Sequence, residues 1–157
     1  MVFKFNAAKA VSYAMRFSNR PNPYFVIFDD GKENVSFVSQ CLLAGCEGVN
    51  SQCCPQWHYI NENKYTESWV DFDKLKSFLL SKSSCGPVAR MVPQALVCVG
   101  DVIFCEGKNE GKVVGFVTKV GEGKIFFVSK KKVVEEKSLE DCCFEKVDFL
   151  QILAVKK

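Results

Sequence analysis

Histidine is almost missing from this sequence. Its 157 residues hold one, His58, so any chemistry that needs an imidazole must pass through that ring. Long apolar runs are missing too. No window approaches the roughly 20 apolar residues of a membrane-spanning helix. The opening segment, with Lys4 and Lys9, has no apolar stretch of secretory-signal length. Nor is there a strong excess of one charge. Lys and Arg number 21 against 18 Asp and Glu, and a net +3 is too mild for a face that tracks phosphates. The one basic run, Lys130, Lys131 and Lys132, is answered by Glu135 and Glu136 and reads as a solvated turn. These absences predict a cytoplasmic chain with no nucleic-acid or membrane partner. No repeat and no linker interrupts it, so residues 1–157 are expected to form a single domain large enough to bury its own core.

Cysteine, by contrast, is plentiful: nine, at positions 41, 46, 53, 54, 85, 98, 105, 142 and 143. An odd number, several inside apolar runs, fits reduced and buried thiols better than a disulfide framework. A zinc site from Cys46, Cys53, Cys54 and His58 lacks the paired Cys-x-x-Cys spacing of strong zinc signals, so no metal and no cofactor is expected.

Helical periodicity dominates the first half. Asn6 is placed to cap a helix running to about Ser18, with Ala7, Ala10, Val11 and Ala14 on one face. Asn19 to Pro23 breaks it, and Asp29 to Asn34 reads as a turn. A second helix is predicted over Val35 to Ala44 and a third over Asp71 to Leu80, with Phe72, Leu75, Phe78 and Leu79 inward. After Gly86-Pro87 the pattern becomes β-branched and aromatic runs between glycine turns: Ala95 to Val99, Asp101 to Cys105, Lys112 to Val120, Lys124 to Val128 and Val147 to Val155. Helices first and strands second predict an α+β fold, with N-terminal helices packed on a C-terminal antiparallel sheet.

Four motifs, in order, resemble the Putative amidase family, a relative of the NlpC-type, papain-like cysteine hydrolases. Phe5-Asn6 with Ala10-Val11 and Tyr13-Ala14 resembles its opening helix. Ser36-Phe37-Val38-Ser39-Gln40, then Leu42 and Ala44-Gly45, resembles the helix that carries its nucleophile. Trp57 with Tyr59, and Ser68-Trp69-Val70, resemble its aromatic cleft motifs. Gly100-Asp101-Val102-Ile103 and Val114-Gly115-Phe116-Val117 resemble the strands that lead to its histidine.

The resemblance implies a thiolate at a helix N-terminus, with an imidazole beside it as base and then acid. In this register, however, the family's cysteine falls on Asn34, its preceding aspartate on Glu33 and its histidine on Val113, with the third polar residue near Ser129 to Lys131. Asparagine is not a nucleophile and valine moves no proton. Because the two groups act as a unit, losing both removes the chemistry. Cys41, seven residues past Asn34, lies about 10 Å further along the helix and is expected in the core.

The sequence therefore predicts a degenerate amidase domain that binds a peptide-like ligand or a protein partner without cleaving it. Asn34, Ser36, Trp57 and Trp69 are its candidate cleft, although Asn34 also suits a helix cap and the tryptophans suit a core. Two alternatives stay open. One is a working amidase on cell-wall-type peptides that uses Cys54 or Cys53 with His58. The other is a structural or assembly protein.

Overall fold

The computed structural model describes residues 1–130 and 134–157. In chain order the elements are β1 (Val2–Phe3), α1 (Ala7–Arg16), α2 (Asp30–Gly45), β2 (Tyr59–Asn61), β3 (Lys64–Tyr65), α3 (Glu67–Val70), α4 (Phe72–Leu80) and β4 (Gly86–Val92). Five strands follow: β5 (Val102–Gly107), β6 (Gly111–Gly121), β7 (Lys124–Lys130), β8 (Val134–Ser138) and β9 (Lys146–Lys156). Helices thus precede most of the sheet, in a mixed α/β fold of the predicted order.

Local chemistry explains the helix starts. Asn6 accepts from the Lys9 N–H at 3.0 Å, and Asp71 accepts from the Lys74 N–H at 3.0 Å, each satisfying an orphan donor of a first turn. Ala10 and Ala14 are fully buried, and their small side chains let α1 lie close against α2. At Gly45, the end of α2, a β-carbon would collide with the Phe5 ring, so the sequence needs glycine there for packing.

Strands β2 and β3 pair as a separate two-stranded sheet, and the other seven form one antiparallel sheet in the order β1-β9-β5-β6-β7-β8, with β4 on the other edge of β9. Its central strands are buried on both faces, which is why β5 and β6 read as continuous apolar runs instead of alternating ones. One face carries Val102, Phe104, Val114, Phe116 and Val128 and packs on the helices. The opposite face carries Ile103, Cys105, Val113, Val117, Ile125 and Phe127, covered by Leu139, Cys142, Phe144 and neighbours from the β8–β9 connection. Gly115 belongs to this second face. A β-carbon there would come 2.5 Å from Phe127 and 2.9 Å from Ile103.

Several expectations need correction. Asp29 to Asn34 is no turn, because α2 already begins at Asp30. The polar run is the helix's first turn and a half, where acidic groups suit the helix dipole. Ala95 to Val99 is not a strand: Gln94–Leu96 is a single 3-10 turn after Pro93. Strands β1, β2, β3, β4 and β8 are absent from the prediction; β4, the longest of them, starts on Gly86-Pro87 and lies at an edge, where proline is tolerated. Lys130 is not in a solvated turn but is buried at the end of β7; Lys131 and Lys132 lie outside the described residues.

Candidate functional site

The pairing of β6 with β7 sets Phe116 against Val128 and Val117 against Phe127. Continued in register, it would set Lys130 against Val114. That step of the ladder is not made. Instead the Asn34 carboxamide enters between the strands, donating from Nδ2 to the Val114 carbonyl at 2.9 Å and accepting from the Val114 N–H at 2.8 Å. A primary amide carries the same donor and acceptor pair as a backbone peptide unit, so one side chain replaces one rung. Asn34 is the fifth residue of α2 and 4% exposed, so it is not the helix cap; Asp29 holds that place without a side-chain cap bond.

Glu33, one residue earlier, faces the end of β7. Its Oε1 accepts from Lys130 Nζ at 2.9 Å and its Oε2 accepts from the Phe28 N–H at 2.6 Å. The pair is buried, with side-chain exposures of 4% and 11%, and the ammonium lies 6.0 Å from the Phe37 ring centroid. A desolvated ion pair holds only if most of its lone pairs and protons are used, and the Phe28 N–H uses one more. The space bounded by Glu33, Lys130, Phe25 and Phe37 has no room for a water molecule.

Ser36 is fully buried on the next turn and accepts from Gln40 Nε2 at 3.2 Å; Gln40 in turn accepts from the Tyr13 hydroxyl at 2.5 Å. Burial pushes the Tyr13 phenol well above its ordinary range. The helix face expected to border an open cleft is therefore a closed polar seam between α2, α1 and the 19–28 segment.

The tryptophans are core residues, not cleft walls. Trp57 and Trp69 are 1% and 0% exposed, with ring centroids 4.9 Å apart, and Phe78 and Phe25 stack on their outer sides. Trp57 Nε1 donates to the Ser39 hydroxyl at 3.2 Å, and that hydroxyl donates to the Trp69 carbonyl at 3.0 Å. Aromatic size near the nucleophile helix reads equally well as cleft or core, and the two indoles fill the space between α2 and α4.

Positions 34 and 113 are neighbours, as the alignment requires, because Asn34 grips the residue next to Val113. Their side chains nevertheless part. Val114 faces the helices, and Val113 turns to the opposite face of the sheet. There, with Ser129, it lines a cavity of about 630 Å³ whose rim comes from β8 and the residues after it.

Nor does the alternative pair meet. His58 Nδ1 lies 3.1 Å from the Cys54 carbonyl oxygen, while the Cys54 thiol donates to the Cys85 carbonyl at 3.0 Å. Burial pushes the Cys54 thiol up to about 12, so little thiolate exists near neutrality. Cys53 is exposed, and no hydrogen bond joins its sulfur to the imidazole among the described residues. Cys41 is fully buried, as expected, and burial raises its thiol well above the ordinary value. Among the described residues, no group of three or more His, Cys, Asp or Glu side chains is disposed to hold a metal ion.

Sequence reasoning missed two features, the Glu33–Lys130 pair and the rim of the large cavity. A signal existed for the first, since the resemblance would set an aspartate at Glu33 and a third polar residue near Lys130. For the second the only signal was the acidic run of Glu135 and Glu136, which reads as ordinary solvated surface.

The profile of the Putative amidase domain matches residues 4–138, most of the chain. The uncharacterized protein YhbB of Bacillus subtilis (strain 168) is 27% identical over 113 residues, 70% of this chain. The chain spans 35% of that relative's length. No solved structure matches.

Proposed function

The chain belongs to the Putative amidase domain family, and from that premise we propose a non-catalytic member: a degenerate NlpC-type, papain-like domain that binds a peptide-like ligand or protein partner without hydrolysing it. The single observation that carries the reading is the bidentate bond of Asn34 to Val114. Where the resemblance calls for an activated sulfur, the chain has a side chain fully engaged in repairing its own sheet.

Three further features support it. The flanking acid, Glu33, is spent on Lys130 and the Phe28 N–H, so it orients no base. Position 34 sits more than one turn inside α2, away from the unpaired N–H groups and positive dipole end that depress a thiol pKa and stabilise an oxyanion. The lone imidazole is bonded to a carbonyl, and the nearest buried thiol is held protonated.

The test is turnover. Wild-type protein and His58→Ala are incubated at neutral pH with blocked peptide amides and small acyl esters, and product is compared with buffer alone. The reading expects no rate above buffer for either. Turnover by the wild type that disappears in His58→Ala or Cys54→Ser would instead establish a displaced Cys–His hydrolase.

A further inference from the structure

The cavity of about 630 Å³ lies on the sheet face turned away from the helices, the face to which Val113 points. Its volume falls in the range of about 300–1,000 Å³ that small-ligand sites occupy. Its floor is Val113 and Phe127, both buried, and Phe144 contributes a second aromatic ring. Ser129 also lines it. This residue is 6% exposed, and no hydrogen bond formed among the described residues engages its hydroxyl.

Carboxylates outnumber ammonium groups among the described rim residues. Among the described lining residues, Glu110, Glu135 and Asp141 oppose the single ammonium of Lys137, while Glu136 pairs with Val128 and turns its side chain to the other face of the sheet. Lys137 is itself 3.6 Å from Glu135, and Glu136 accepts from the Thr118 hydroxyl at 2.5 Å. Glu110 and Asp141 take part in no ion pair among the described residues. An apolar floor with aromatic rings, beneath a surplus of carboxylates, suits a cation carried on an apolar stem: the stem packs on the rings and the charge meets the carboxylates. The rim strand β8 is the terminal strand of its side of the sheet, so its outer backbone groups have no sheet partner among the described residues. An extended main chain can pair there while its side chains reach the cavity.

We propose that this cavity is a binding site for a basic peptide segment, with a lysine or arginine side chain seated over Phe144 between Glu110 and Asp141 and a neighbouring apolar side chain against Val113 and Phe127. The proposal rests on the binding half of the function given above and supplies its location and ligand class.

The experiment follows backbone amide NMR shifts of the whole chain during titration with blocked Phe-Lys-Lys, with blocked Phe-Glu-Glu and with cadaverine. The expected result is saturable shifts at Phe127, Ser129 and Phe144 with Phe-Lys-Lys and at least tenfold weaker binding of the other two. Glu110→Lys combined with Asp141→Lys, both at partly or fully exposed positions, should weaken Phe-Lys-Lys at least tenfold while the rest of the spectrum is kept. Glu110→Gln with Asp141→Asn should fall between. No saturable shift, shifts confined to another surface, equal binding of the acidic peptide or of cadaverine, or unchanged affinity in the Lys variant would each overturn the proposal. The two readings fail separately. A peptide bound here and cleaved would end the non-catalytic reading alone, and absence of both binding and cleavage would end this one alone.

Discussion

The carboxamide of Asn34 holds both backbone groups of Val114, at 2.9 and 2.8 Å, from a position 80 residues earlier in the chain. This contact fastens the first turns of α2 to the point where β6 and β7 separate, and the Glu33–Lys130 pair fastens the same turns to the end of β7. Two consecutive helix residues thus tie α2 to the sheet where β6 and β7 part.

Asn34→Ala leaves the Val114 N–H and C=O buried and unpaired. Each such group costs about 1–3 kcal/mol, so a loss of about 2–4 kcal/mol is expected. Urea unfolding of the variant measures it. A change under 0.5 kcal/mol would mean that water or Lys130 takes over the rung.

Lys130→Met strands the Glu33 carboxylate in the interior and should destabilise by about 3–5 kcal/mol. Adding Glu33→Leu removes the stranded charge. The double variant is therefore expected to be more stable than Lys130→Met, although it still lacks the bond to the Phe28 N–H. Additive losses in the double-mutant cycle would show that the pair is not coupled.

Thiol reactivity should follow burial, not His58. Cys53, Cys98 and Cys143 are exposed and should react first with a maleimide; Cys41, Cys46, Cys54 and Cys105 should react slowly. Burial pushes Cys54 and Cys105 up to about 12. Because thiolate is the reactive form, their labelling rates in the native protein should climb about tenfold per pH unit from 7 to 9 without a plateau. His58→Ala should leave the Cys54 rate unchanged, which peptide mass mapping of the labelled protein can follow. A plateau near neutral pH, lost in His58→Ala, would contradict this.

Trp57 and Trp69 pack against each other in the core, so their fluorescence should be blue-shifted and nearly insensitive to iodide. Strong quenching of the native protein would place at least one indole in an open groove.

What was legible in the sequence was what local chemistry decides. The Asn6 and Asp71 caps with their apolar faces marked α1 and α4 closely, and the glycine turns marked β5, β6 and β7. The start of α2 was not legible, because Asp29, Asp30, Gly31 and Asn34 are also turn residues, and only the tertiary bonds of Glu33 and Asn34 reveal the helix. Strand β8 was lost for a similar reason: Glu135, Glu136 and Lys137 are what an edge strand carries to discourage further pairing.

The candidate site was legible in one dimension only. The resemblance sets residues 34 and 113 side by side, and in the structure Asn34 bonds the residue next to Val113. The resemblance did not reveal which way Val113 points, since Val113, Val114, Phe116 and Val117 are all apolar and the sheet is buried on both faces. A period-2 pattern carries orientation only when one face is polar.

The most direct test of the account is the scalar coupling across the hydrogen bond between the Val114 amide nitrogen and its acceptor carbon, measured in isotope-labelled protein. The account predicts a coupling to the side-chain carbonyl carbon of Asn34, abolished in Asn34→Ala. A coupling from Val114 to the backbone carbonyl carbon of Lys130 would show an unbroken β6–β7 ladder with Asn34 released from it, and the structural role assigned to Asn34 would be wrong.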